Sequence, residues 1–221
     1  MNIRHFFSVS LLLISIYLLI SCGLPSYIVI EAPVKTTGTT ATTEVSFKAP
    51  SDSSHIDGYE IYYKIYPFNS TKIDTDRELF NIASSSYVYE FGETKLVKNK
   101  FQRLQYGEMD SQKFLRNAPL IPASFLPPGS ELVIEFISED ISSITANGSY
   151  IGIPLRIVFQ IGDTLKNFGS NVNLLDSDRN GVTPGTPYSI SFVAYSRRHM
   201  IETAYNNSVP VFLGTIKDRS N

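Results

Sequence analysis

Asp176-Ser177-Asp178-Arg179-Asn180-Gly181 sets three side-chain oxygen donors at alternate positions ahead of a glycine. Oxygens in that spacing can converge on a hard cation, and the glycine permits the tight turn of a calcium loop. The second half of such a loop is missing, because the twelfth position is Pro187 and not a bidentate Glu. A Ca²⁺ on Asp176, Asp178 and Asn180 would need further ligands from elsewhere in the chain; otherwise the same residues suit an Asx-rich turn. Other reactive side chains are scattered. His5, His55 and His199 have no neighbours at metal-ligand spacing, and Glu135, Glu139 and Asp140 sit at a strand end where charges are ordinarily solvated. The chain has no G-x-S-x-G elbow and no glycine-rich phosphate loop. A nucleophile–His–acid set assembled from distant positions stays open, but the inventory points to a protein that is not an enzyme. The sole thiol is Cys22, directly after small Ser21 at the end of an apolar run.

That run extends from Phe6 to Ile20 behind Arg4 and His5. At about 15 residues it is short for a membrane span of roughly 20 and suits the apolar core of a signal peptide. Leu19-Ile20-Ser21-Cys22 resembles the bacterial lipobox, with Ile20 the less usual choice at its position. The resemblance implies cleavage between Ser21 and Cys22 and a thioether-linked lipid on Cys22, with two or three acyl chains such as palmitate. Two or more chains hold durably where one gives only marginal binding. It implies a lipoprotein of the bacterial cell envelope, in the outer membrane or on the extracytoplasmic face of the inner one. The alternatives are a buried structural cysteine or an uncleaved anchor helix.

The remaining ~200 residues suffice for one large domain or two small ones. With no second cysteine no intramolecular disulfide can form, so burial must hold the core. A formal net charge of −2 without long charged blocks gives no sign of a nucleic-acid partner. Abundant Tyr, Phe, Ile and Val predict β structure. Strands are expected at Tyr27–Glu31, from Glu44 to Pro50 and from Gly58 to Tyr66. In the third, Tyr59, Ile61, Tyr63 and Ile65 share one face, while Glu60, Tyr62, Lys64 and Tyr66 share the other. Val45 to Asp52 followed by Asp57 to Lys64 resembles strands B and C of a fibronectin type III domain, with Phe47 where that family has a core Trp. Val182 to Tyr195 resembles the turn before strand F and the strand itself, with Tyr188 at the tyrosine corner. Ala204 to Phe212 resembles strand G and the serine- and asparagine-rich turn before it.

The resemblance covers two pieces, and about 115 residues lie between them where the family uses a few tens. The expected organisation is a signal peptide over 1–21, a tether over 22–26, a sandwich from 27–66 and 171–221, and an insertion or subdomain over 67–170. Within the insertion the pattern predicts helices over Thr75 to Ala83 (with Thr75 and Glu78 in capping-box spacing) and Asp110 to Asn117. It predicts strands at Tyr87 to Phe91, Glu131 to Ile137 and Ile151 to Ile161, the last with Pro154 marking an edge or bulge. Ser138 to Ser149 reads as a polar loop. The fold class is therefore an all-β sandwich, fibronectin- or immunoglobulin-like, enlarged by a mainly β insertion with short helices.

Such a scaffold offers loops and sheet faces for contact, and the function expected is a non-catalytic binding or adaptor module. Arg197, Arg198 and His199 fall in the loop after strand F, which carries contacts in the resembled family, and Tyr62 with Tyr66 would form a weaker aromatic patch unless the insertion covers them. The basic group Lys95, Lys98, Lys100 and Arg103 beside Phe101 suits anionic headgroups or a polyanion, or else a solvated strand face. The partners expected are the bilayer, through the acyl chains, and another envelope or extracellular protein. Two alternatives stand beside this: a fixed subunit of an envelope complex, or a ligand carrier or hydrolase using the insertion.

Overall fold

The computed structural model describes residues 30–36, 43–81, 93–107, 118–138, 141–160, 162–168, 172, 174–198 and 207–219. The lipobox-like stretch Leu19–Cys22, the strand expected at Tyr87, the helix expected at Asp110 and His199 lie outside these residues, as does most of the strand expected at Tyr27. Among the described residues no helix is long and apolar enough to cross a membrane.

The fold is all-β: two antiparallel sheets packed as a sandwich, with a few short helices. One sheet runs β1 (Val34–Lys35), β2 (Glu44–Lys48), β7 (Glu131–Phe136), β8 (Ser142–Ala146), β9 (Ser149–Gln160) and β10 (Gly162–Asn167), with β5 (Gln105–Gly107) also on β9. The other runs β12 (Val211–Arg219), β11 (Tyr188–Arg198), β3 (Ile56–Pro67) and β4 (Gln102–Arg103), and β6 (Ile121–Pro122) shares the far edge of β3 with β4. Strands of the 67–170 segment therefore complete both sheets: β7 pairs with β2 over Glu44–Lys48, and β4 and β6 pair with β3.

The core lies between the sheets. Phe47, Tyr59 and Tyr63 meet Leu132, Phe136 and Phe192 there, and each large side chain removed from water contributes about 1.5–3 kcal/mol. Phe168 is the hub: its ring stands edge-on to Tyr63 at 4.9 Å and to Phe136 at 5.6 Å. Its carbonyl accepts the Tyr188 hydroxyl at 2.5 Å, which ties the chain leaving β10 to the start of β11. At Gly58 the backbone of β6 comes so close that a Cβ would lie 2.3 Å from the Ile121 carbonyl oxygen, so no other residue fits.

The outer face of the second sheet is also covered. Helices α1 (Lys72–Asn81) and α2 (Glu93–Lys98) bring Phe80, Leu96 and Phe101 onto Tyr62, Tyr195 and Phe212. This explains why β3 and β11 are buried along nearly their whole length. Helix α1 starts three residues before the expected N-terminus, so Thr75 lies inside it and makes no cap; the spacing of Asp76, Leu79 and Phe80 toward the sheet sets its course. The segment expected as a polar loop, Ser138 to Ser149, contains β8. Asn147 (φ 50°) and Gly148 (φ 74°) form the left-handed pair of a two-residue hairpin turn into β9. The last strand runs over Val211–Arg219, beyond the expected Ala204 to Phe212, since Pro210 has no N–H for the ladder.

Tyr59 has a buried hydroxyl with no hydrogen-bond partner among the described residues. Burial pushes this phenol up to about 12 from its ordinary 10.0. The folded state thus keeps a proton that the unfolded chain releases. This ionisation leaves stability unchanged below pH 10.0 and lowers it as pH rises from there through about 12. Tyr59→Phe removes both the unpaired hydroxyl and this alkaline loss. Urea unfolding at neutral pH should show it about 1 kcal/mol more stable than wild type; a less stable variant would mean the hydroxyl is satisfied.

Candidate functional site

The loop between β10 and β11 carries the calcium-like sequence. It folds through two successive turns, Arg179 N–H to the Asp176 carbonyl (3.3 Å) and Val182 N–H to the Arg179 carbonyl (2.9 Å). Asn180 sits in the left-handed region (φ 48°) and its Nδ2 donates to the Asp178 carbonyl at 3.1 Å. The two carboxylates face inward to Arg156 of β9. Arg156 Nη2 donates to Asp176 Oδ2 at 2.8 Å, and Nη1 donates to Asp178 Oδ1 at 2.9 Å. Lys166 Nζ donates to Asp176 Oδ1 at 2.7 Å, and the Tyr63 hydroxyl donates to Asp178 Oδ2 at 2.8 Å.

All four carboxylate oxygens thus have a proton donor, and a guanidinium occupies the space between them. The carboxylate oxygens that a Ca²⁺ would take at Asp176 and Asp178 are engaged by Arg156, Lys166 and Tyr63, and Asn180 uses its Nδ2 on the loop backbone. No group of three or more His, Cys, Asp or Glu able to hold a metal occurs among the described residues. Arg156, Asp176 and Asp178 are buried. Burial pulls the guanidinium down, but Asp178 and Asp176 outweigh it and hold Arg156 above its ordinary value. Burial raises the Asp178 carboxyl, and Arg156 and Tyr63 offset this only in part. Tyr63 is pushed well up by burial and by the Asp178 charge.

The residues expected to contact partners are placed differently. Tyr62 lies under α1 and α2, stacked on Tyr195 at 6.0 Å. Tyr66 is buried too, with its hydroxyl donating to Asp76 Oδ2 at 2.6 Å, and Lys64 Nζ reaches the same oxygen at 2.5 Å. These tyrosines form no surface patch, because the insertion covers them. Arg197 Nη1 is held on buried Glu60 at 3.1 Å, across from Arg103, whose Nε meets the other Glu60 oxygen at 2.6 Å. Arg198, at the end of β11, is half-buried.

A groove of about 970 Å³ opens instead between the 97–103 segment and the 174–181 loop, with Ile157 of β9 in its floor. Leu174, Leu175 and Val97 are 66%, 74% and 56% exposed on its walls. Lys100 and Arg179 stand beside them. A second recess of about 340 Å³, lined by Lys64, Lys72, Lys98 and Lys100, adjoins it, and Lys100 and Asn180 belong to both walls. Sequence reading singled out the basic group but missed Arg156 and the leucine pair. The signal for Arg156 was the two acidic residues themselves, which can serve a buried guanidinium as readily as a metal. No family model, curated protein or solved structure is significantly similar to the chain.

The Arg156 network fixes the groove's floor and its loop wall. Arg156→Met should cost about 3–5 kcal/mol, because two buried carboxylates lose their main counter-charge. Urea unfolding would measure it, and adding Asp178→Asn should recover part of the loss. A loss below about 1 kcal/mol would mean that the network is not holding the loop.

Proposed function

We propose that the chain is a membrane-tethered, non-catalytic binding or adaptor module of the bacterial cell envelope. The lipobox spacing Leu19-Ile20-Ser21-Cys22 supports the tether. The likeness to a fibronectin type III domain is supported by the neighbour order β12-β11-β3, which matches strands G, F and C, and by Tyr188, whose hydroxyl returns to upstream backbone as at a tyrosine corner. The observation that carries the binding role is the groove: its walls expose leucines and cations, while the acidic loop beneath it is taken up in holding Arg156. Exposed apolar side chains beside a recess mark a contact site more often than a bare surface.

A second reading, a fixed subunit of an envelope complex, is favoured by a separate apolar spot. Ile137 and Ile141 are both exposed at the β7–β8 turn, joined by an Ile137 N–H to Ile141 carbonyl bond of 2.9 Å.

The tether is tested by metabolic labelling with a fatty acid. Cys22→Ala should lose all label and leave the signal peptide uncleaved; retained label would remove the lipobox reading. The contact face is tested by placing a photo-crosslinking residue at Leu175 or at Ile141 in cells. Adducts from Leu175 alone support the groove, and adducts from Ile141 alone support the subunit reading.

A further inference from the structure

The groove and the lysine recess are one site with two chemistries, and we infer that it holds a phospholipid-type amphiphile: a phosphate headgroup in the recess and an acyl chain along the groove. This deepens the binding reading above and rests on it.

The recess supplies the headgroup chemistry. Lys64, Lys72, Lys98 and Lys100 line it, with Ser70 and Asn99 as neutral hydrogen-bonding neighbours and no carboxylate among its lining residues. Lys64 is neutralised by Asp76. Lys72, Lys98 and Lys100 are exposed, and among the described residues no carboxylate pairs with them, so the described lining of the recess is net positive. Lysine serves as a point-charge ligand for phosphate. The adjoining groove supplies the chain chemistry through Val97, Phe101, Ile157, Leu174 and Leu175. Its volume lies within the range of ligand pockets. A bare anion would leave the leucines exposed, and a neutral hydrocarbon would leave the lysines without a partner.

The junction shows a specific choice of residue. Lys100 and Asn180 belong to both walls, and both have positive φ, 63° and 48°. Lys100 occupies the position after the cap of α2. Its N–H donates to the Val97 carbonyl at 2.9 Å, and the Phe101 N–H donates to the Leu96 carbonyl at 2.9 Å. That is the bond pair of a Schellman motif, in which glycine is the favoured residue because it bears the left-handed conformation without strain. A lysine there is conformationally unfavourable, and this residue lines both the recess and the groove, where headgroup and chain would join. Strained residues of this kind cluster at ligand sites.

The same strain allows a test that does not confuse binding with folding. Lys100→Gly should raise the unfolding midpoint and remove the charge. The full lipidated chain, held in nanodiscs of neutral phosphatidylcholine, is titrated calorimetrically with dihexanoyl phosphatidylglycerol, dihexanoyl phosphatidylcholine and inorganic phosphate. The anionic lipid should bind at least about tenfold more tightly than either other probe, and Lys100→Gly should weaken it by about tenfold. Leu174→Ser with Leu175→Ser should weaken the lipid and leave phosphate unchanged. Equal affinity for the two lipids would overturn the headgroup assignment, and equal affinity for phosphate would overturn the chain assignment. A stabilised Lys100→Gly chain that binds like wild type would also sink the proposal. Absent lipid binding with a protein still captured from Leu175 would reject the amphiphile but keep the groove, whereas loss of both would reject the binding reading itself.

Discussion

A guanidinium removed from water must find its counter-charges inside the protein, and Arg156 finds two. Asp176 and Asp178 come from a loop that follows β10, Lys166 comes from β10 itself, and Tyr63 comes from the opposite sheet. The formal charges of Arg156, Lys166, Asp176 and Asp178 cancel, which removes most of the cost of burying them, and the remaining lone pairs are satisfied by hydrogen bonds. Each bond is directional, so the network fixes where the loop lies as well as that it is closed. An apolar core alone would accept the loop in several positions.

The second sheet uses a related device on its outer side. Glu60, Lys64 and Tyr66 point away from the sandwich core, and each is engaged under the covering segments: Glu60 by Arg103 and Arg197, Lys64 and Tyr66 by Asp76 of α1. The Lys64 ammonium also lies 5.4 Å from the Phe101 ring centroid, which joins polar and aromatic packing at one point. The short helices α1 and α2 are thereby held on a sheet face that the two-layer core would have left to solvent. Because α2 is seated, the segment from Val97 to Arg103 becomes a fixed wall.

The two faces of β3 were legible in the sequence, since strict alternation states which residues share a side. Alternation does not state which side is deeper. Along β9 Ile151, Ile153 and Ile157 are only half-buried, whereas Arg156 and Val158 are fully enclosed. The burial of Arg156 depends on carboxylates some twenty residues onward, which no local pattern reports. The β8 hairpin was legible in principle from Asn147-Gly148, but its Ser- and Thr-rich strand hid behind a polar composition. The candidate site was legible only as a basic run. Its other wall comes from Leu174 and Leu175, whose significance depends on where a distant salt bridge places them.

The pairing of β3 with β11 has a consequence for how the chain comes to be folded. Pro67 faces Tyr188 and Ile56 faces Arg198, positions on the order of 120 residues or more apart, so the central ladder of the second sheet closes only across a long loop. A vectorially emerging chain exposes β3 well before its neighbour exists. Closure is therefore late and slow relative to local hairpins such as β7–β8–β9. Until β11 arrives, the tyrosine-rich strand presents unpaired backbone along an aromatic surface, which makes it the segment most in need of protection from self-association. A topology that defers its central pairing across more than about 100 residues leaves one edge of β3 open for the whole time those residues are being made.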